Sequence, residues 1–384
     1  MKAYILMVPL VVVGMLQLSG CLPRSGTVPP GGAYLSESAG ASFDQSVGVE
    51  GKADQNIARF PLQHGFRSPE HSQQVFIAAG SRGLVVSDTG GKTWRVISVP
   101  LVQTLDVSVL GNGTWVVSGI DGAGQGFILR SLDEGKSWEI VQTVPVPVKK
   151  GGFQFLSEDA RASVTLSLAR DPHNADRIYA GSSLGTIIVG EQSAKVWKTI
   201  HTLHSATSEL LGTEPGFSIK RLIPSPHRSG ELLLVTTSGS LIRVREGTQS
   251  TLRIPRFIES ATPFGDAVQS RRIFDVSYIS SFPQALFVAT TNGPVISRDD
   301  GKTWVDLKAP IDTTESFNRG TIAVSPTNSN RLFVAVNHVL YRSEDSGTTW
   351  NTFDIGLKEH AITQLLIDPT NAAHVVAIVQ AIRS

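Results

Sequence analysis

One eight-residue turn is written into this chain four times. Ser131-Leu132-Asp133-Glu134-Gly135-Lys136-Ser137-Trp138 is matched by Ser297-Arg298-Asp299-Asp300-Gly301-Lys302-Thr303-Trp304. It is matched again by Ser343-Glu344-Asp345-Ser346-Gly347-Thr348-Thr349-Trp350, giving the pattern Ser-x-Asp-x-Gly-x-Ser/Thr-Trp. Ser87 to Trp94 repeats it with Thr89 where the others have Asp. Apolar residues lead into and out of the copies, as Val295-Ile296 and Val305 do around the copy ending at Trp304. Such a segment reads as a hairpin between two strands. Gly135, Gly301 and Gly347 are expected to adopt a backbone angle that a side chain disfavours. The Asp and Ser/Thr oxygens can accept hydrogen bonds from amides of the turn, and the indole is large enough to wedge the hairpin against neighbouring strands. The density of Asp and Gly also suggests a calcium loop, but the spacing lacks the run of oxygen ligands that an EF-hand loop needs. A structural "Trp turn" is the expectation.

The spacing sets the architecture. The four tryptophans stand at 94, 138, 304 and 350, and two eroded copies, Gly190 to Trp197 and Arg245 to Leu252, fill the gap. The resulting steps of 44 to 59 residues suit one four-stranded propeller blade each. A second repeat, a "Pro turn" followed by an apolar strand, keeps the same register at Asp171-Pro172, Ser225-Pro226, Ser325-Pro326 and Asp368-Pro369. Residues 375–384 align with 332–343, so the last unit is expected to hold three strands. A segment between about residues 41 and 59 would then add the fourth and close the ring, removing exposed sheet edges. The prediction is an all-β, seven-bladed β-propeller over 41–384. Composition agrees: 17% charged residues, 36 Gly and 20 Pro describe a turn-rich chain.

Residues 1–20 read as an export signal, with Lys2 ahead of the uncharged apolar run Ile5 to Leu16. Leu18-Ser19-Gly20-Cys21 resembles the bacterial lipobox, which implies cleavage before Cys21 and lipidation of its thiol. Cys21 is the only cysteine in the sequence, so no intramolecular disulfide can form. Residues 21–40, rich in Gly, Pro and Ser, are expected to form a flexible tether. The expected setting is the bacterial cell envelope, with a monomeric domain in the periplasm or at the cell surface. Leu22, where inner-membrane retention often uses Asp, favours the outer membrane in a two-membrane cell. Without Lys2 the basic and acidic side chains balance at 33 each, which argues against a nucleic-acid partner.

The Trp turn resembles the Asp-box, or BNR repeat, of sialidases, sortilins, xyloglucanases and photosystem II assembly-factor propellers. That resemblance implies two functions: a non-enzymatic scaffold or assembly factor for a protein partner, or a glycan-binding or glycoside-hydrolase propeller. It also implies that ligands sit on the face opposite the Trp turns. The long connections 142–163, 201–217, 255–271 and 308–320 lie there, carrying Lys149, Lys150, Arg161, His201, His204, Arg271, Arg272 and Arg319. Loops longer than a minimal connection are where binding groups concentrate. Of these residues, Arg161, Arg271, Arg272 and Arg319 are the candidate binding face.

Arg253-Ile254-Pro255 resembles the Arg-Ile-Pro motif of sialidases, but its register places it at the start of an outer strand, remote from the channel. Tyr278 is the one tyrosine suited to a sialidase-type role, and no Glu lies near it in sequence. Asp121, Glu158, Asp159, Asp266, Asp275 and Asp312 are the carboxylates from which a glycosidase pair would be drawn, and nothing singles out two of them. The nine histidines lack metal-ligand spacing, and no phosphate-binding loop or nucleophile elbow appears. Neither a metal, a cofactor nor a catalytic residue is therefore assigned.

Overall fold

The computed structural model describes residues 31–144, 164–203, 217–255, 271–311 and 320–382. Among them, seven four-stranded antiparallel sheets stand around a central channel as a seven-bladed β-propeller, joined by one two-stranded ribbon, Gly48–Val49 with Lys52–Asn56. Each blade presents its first strand to the channel. In blades 1 to 7 these strands are Gly65–Arg67, Gln103–Val109, Thr165–Arg170, Ile219–Pro224, Ile273–Tyr278, Gly320–Val324 and His360–Ile367.

Burial explains the differing composition of the strands. Second strands such as Leu232–Thr236 and Leu286–Thr290 are buried along their whole length, because sheets cover both of their faces. Their sequences are accordingly continuous apolar runs rather than alternating ones. Outermost strands have one face in solvent, and Thr248–Leu252 (TQSTL) is mostly exposed. Each seam between blades is an apolar layer, and at the first seam Phe76 meets Trp115 edge-on, 4.9 Å between ring centroids. Each fully buried Leu or Phe in such a layer contributes about 1.5–3 kcal/mol.

The ring closes as expected in kind and differently in detail. Blade 7 takes two strands from the C-terminal part, His360–Ile367 and Val375–Ala381, and two from the N-terminal part, Gly32–Ser36 and Asp44–Gln45. Among the described residues the expected third C-terminal strand does not form, because residues 375–381 run straight as one strand. Where blade 6 turns on Asn337, at a φ of 49°, this segment has neither Asn nor Gly. The first described propeller strand, Gly32–Ser36, therefore lies inside the stretch expected to be tether, and Gly32 to Ser36 pair with Val379 to Val375.

The third-to-fourth strand hairpins of blades 1, 2, 5 and 6 carry Trp94, Trp138, Trp304 and Trp350 at equivalent places. In the three turns with Asp, the N–H groups of Gly135, Gly301 and Gly347 donate to the Oγ of Ser131, Ser297 and Ser343, each at 2.8 Å. The carboxylates of Asp133, Asp299 and Asp345 accept the backbone N–H and the hydroxyl of Ser137, Thr303 and Thr349 respectively. In blade 1 the Thr89 hydroxyl replaces the carboxylate, accepting the Thr93 N–H at 3.0 Å.

The glycines of these turns are as the pattern predicts. Gly135, Gly301 and Gly347 have φ of 82°, 84° and 89°, in the region that side chains disfavour. Each also packs against the preceding blade. A Cβ at Gly135 would sit 2.6 Å from Ile97, one at Gly301 3.2 Å from Leu252, and one at Gly347 2.6 Å from Leu307. Glycine therefore meets a conformational demand in all three turns, and the packing demand is severest at Gly135 and Gly347.

Blade 7 holds a fifth copy that the pattern did not reveal. Ser36-Glu37-Ser38-Ala39-Gly40-Ala41-Ser42-Phe43 makes the same bonds, Gly40 N–H to Ser36 Oγ at 2.8 Å and Ser42 N–H to Ser38 Oγ at 3.0 Å. The two eroded copies have become other turns. Gln192, Ser193 and Ala194 all take positive φ, and Glu246-Gly247 form a two-residue hairpin.

Candidate functional site

Antiparallel order sorts the loops onto two faces. Pro turns and Trp turns share one face. The second-to-third strand turns and the connections between blades occupy the other. Between the faces runs the channel, and its wall is built from one polar side chain per blade.

His64, Asp106, Ser167, Arg221, Asp275, Thr321 and Gln364 occupy corresponding places on, or next to, the innermost strands. Gln364 Oε1 accepts the Gly65 N–H at 2.7 Å, and its Nε2 approaches His64 Nε2 at 3.2 Å. His64 Nδ1 lies 2.7 Å from Asp106 Oδ1. That oxygen also accepts the Val107 N–H at 2.7 Å, and Oδ2 accepts the Leu168 N–H at 2.7 Å. Ser167 Oγ accepts the Leu222 N–H at 3.0 Å, and Arg221 donates to Asp275 Oδ1 at 2.5 Å. Asp275 Oδ2 then accepts the Thr321 hydroxyl at 2.9 Å and the Ile322 N–H at 3.1 Å. The belt thus spans six of the seven seams. It satisfies backbone donors on the channel edge of the innermost strands, where no further strand pairs with them.

Five of the seven belt residues follow a register shift in the first strand, at Asp106, Ser167, Arg221, Asp275 and Gln364. A bulge re-aims the next side chain, which here reaches along the seam. Of the belt residues, Asp275 alone is among the carboxylates that the sequence offers for a glycosidase pair. Both of its oxygens are engaged in the belt, and those of Asp106, which no sequence pattern marks, are engaged likewise. Both carboxylates are buried.

Arg271 is buried, donates to both oxygens of Asp306 and to the Pro255 carbonyl at 3.1 Å, and so locks the entry to blade 5. Arg272 is exposed on the loop face and donates to the Thr237 carbonyl at 3.4 Å. His201 meets Gln249 Oε1 at 3.1 Å. Asp121 caps its own turn, accepting the Ala123 and Gln125 N–H groups at 2.9 Å. Arg253 leaves the outer strand Thr248–Leu252 rather than starting it, because the preceding turn has only two residues. Cys21, Lys149, Lys150, Glu158, Asp159, Arg161, His204, Asp266, Asp312 and Arg319 lie outside the described residues.

Tyr278 does have a glutamate partner, across a blade seam. Its hydroxyl donates to Glu231 Oε1 at 3.1 Å, and Arg245 donates to Glu231 Oε2 at 2.5 Å. Arg228 and Arg243 complete a cluster by pairing with Asp300 at 3.2 and 2.8 Å. A tyrosine, a glutamate, an aspartate and three arginines therefore meet, but at the Trp-turn end of the seam and bonded to one another. Burial, and then the Glu231 carboxylate, push the Tyr278 hydroxyl far above its ordinary pKa. A phenol held protonated and donating to a carboxylate is a structural tie.

Among the described residues no group of three or more His, Cys, Asp or Glu side chains is placed to hold a metal ion.

No sequence-family profile matches the chain, and no curated protein matches it by sequence. Solved structures do match. A YCF48 structure described as bound to D1 peptide is 17% identical over 88% of this chain and 99% of that one, with a TM-score of 0.53. YCF48 from Cyanidioschyzon merolae is 15% identical over 83% and 95% of the two chains, at 0.55. The GH74 xyloglucanase from Xanthomonas campestris is 17% identical at 0.58, over 89% of this chain but only 57% of its own. At such identities the likeness is one of fold, and that fold is the propeller.

Proposed function

We propose that this chain is a lipid-anchored propeller of the bacterial cell envelope that binds a protein partner without catalysing a reaction on it. One observation carries the proposal. The ionisable groups that sequence left open for catalysis, where described, serve the scaffold: Asp275 in the channel belt, Tyr278 in the seam cluster, Asp121 in its own turn. Among the groups that face solvent, Arg272 and Phe282 offer cationic and apolar chemistry, which recognises rather than reacts. YCF48, described with a D1 peptide bound, supports the reading as a propeller of matching extent that holds a peptide. The xyloglucanase shares only part of its length with this chain, and its activity is not carried over.

Two experiments test this. Pull-down from solubilised membranes with the full-length protein should retain a partner protein, and the Arg272→Ala/Arg319→Ala variant should retain less if the loop face does the binding. A chain that retains none, or that cleaves xyloglucan or sialosides, contradicts the proposal. For the anchor, Cys21→Ser should move the protein from the membrane to the soluble fraction, and an unchanged membrane fraction would refute lipidation.

A further inference from the structure

At the Trp-turn face, the residue before each second strand lies opposite a residue at the end of the third. In four blades that pair is complementary. Gln74 donates to Asp88 at 3.2 Å, Arg177 bridges Glu191 at 3.1 Å, Arg245 donates to Glu231 at 2.5 Å and Arg331 donates to Glu344 at 2.8 Å. Blade 2 has the uncharged pair Thr114 and Leu132 there, whereas blade 5 leaves a cation opposite an apolar residue. Its strands pair Leu286 with Ser297, which sets Ala285 opposite Arg298. Arg298 is exposed, and among the described residues it makes no ion pair.

The turn beside it has changed in the same direction. The Pro turns of blades 1, 3, 4, 6 and 7 open on Ser68-Pro69, Asp171-Pro172, Ser225-Pro226, Ser325-Pro326 and Asp368-Pro369. Blade 5 opens on Ile279-Ser280 and continues Phe282-Pro283. These substitutions leave a cleft of about 460 Å³ lined by Ile279, Phe282, Pro283, Ala285, Ile296 and Arg298, with Ser329 and Ser346 of blade 6 on its far side. Ile279, Ala285 and Ile296 are buried, whereas Phe282 keeps 54% of its surface exposed. A lone exposed phenylalanine is ordinary. Here it borders an apolar cleft of ligand-binding size, beside a cation that lacks the partner its counterparts have.

We infer that the cleft between blades 5 and 6 receives a peptide segment of a partner protein, with a large apolar side chain seated against Phe282 and Ile279 and a neighbouring Asp or Glu paired with Arg298. The inference rests on the protein-binding reading and gives it a specific site, on the face opposite Arg272. Charge complementarity argues for the acidic residue, because in blades 3 and 6 the arginine at this pair meets a glutamate. Phenylalanine and arginine are also both enriched at protein interfaces relative to the rest of the surface.

The test is fluorescence anisotropy of the full-length protein in detergent with labelled nine-residue peptides. Each carries Leu or Phe next to Asp or Glu, and matched peptides carry Asn or Gln for the acid, or Ala for the apolar residue. The acidic apolar peptides should bind, and both replacements should weaken binding, the amide change by about twofold to fivefold. Arg298→Gln should abolish the preference for acid over amide. Ala285→Glu, which restores the missing carboxylate, should abolish binding. Arg298 is exposed, so Arg298→Gln decides the matter even if Ala285→Glu disturbs folding. Failure of every acidic peptide to bind, or an unchanged acid preference in Arg298→Gln, overturns the inference. In pull-down, a partner that Arg298→Gln and Phe282→Ser retain as fully as wild type does removes this cleft and leaves protein binding standing. A wild-type protein that retains no partner removes the broader reading.

Discussion

Asp106 Oδ2 accepts the backbone N–H of Leu168 at 2.7 Å, joining the innermost strands of blades 2 and 3 across the channel wall. Its other oxygen holds the Val107 N–H and His64 Nδ1, each at 2.7 Å. The carboxylate is thus a three-point fastener in a belt that ties blade to blade where strand pairing does not reach.

Asp106→Ala should therefore destabilise the fold by about 2–4 kcal/mol, because it leaves buried donors unsatisfied. Ser167→Ala removes one acceptor, for the Leu222 N–H, and should cost about 1 kcal/mol. Urea unfolding of both variants measures the difference, and equal midpoints would show that the belt does not bear on stability.

The Trp turns make stability depend on acid. The carboxylates of Asp133, Asp299 and Asp345 are held at about 2, below the ordinary 3.8. The strongest causes are the Ser137 hydroxyl, the Thr303 hydroxyl and the Thr349 N–H respectively. With the folded value depressed, the unfolded chain binds more protons in this window. The contribution is whole above about pH 4 and is lost as pH falls toward 2. Thermal unfolding from pH 6 to pH 2 should show that decline. The triple Asp→Asn variant should start lower at pH 6 and decline less steeply. An unchanged slope would mean that other carboxylates govern acid unfolding.

The tryptophans should not be equivalent. Trp94 is completely buried and its Nε1 donates to the Ser46 carbonyl at 2.9 Å, which fastens the chain just after blade 7's turn to blade 1. Trp138 is only partly buried. Trp94→Ala should cost about 3–5 kcal/mol, and Trp138→Ala distinctly less. Denaturant midpoints of the two variants give the order, and a reversed order would contradict the packing described.

The blades were legible in sequence because their turns are local chemistry: eight residues carry their own donors, acceptors and glycine. Gly301 and Gly347 take the backbone angle that their place in the pattern demands. Legibility failed where the chemistry was conserved under different letters. Ser38 and Phe43 replace Asp and Trp in blade 7, inside a Gly-, Pro- and Ser-rich stretch that reads as tether. It failed again for long-range contacts. Gln364 bonds Gly65 across 299 positions, and Tyr278 meets Glu231 across 47. No pattern within one strand announces such a partner. Arg298 was hidden for a related reason, since its lack of a counterpart becomes visible only when the blades are laid in register and Ala285 is seen opposite it.

Closure of the ring by the two ends of the chain is the claim on which the rest is built, and the pairing of Leu35 with Val376 tests it most directly. Cysteines at these two positions, in a Cys21→Ser background, face each other at antiparallel spacing compatible with a disulfide. Oxidation of the folded protein should cross-link them within one chain, giving faster migration on a denaturing gel and a higher unfolding temperature that reductant reverses. Absence of the intramolecular bond, or its formation only between chains, would contradict a propeller closed by its N-terminal strand.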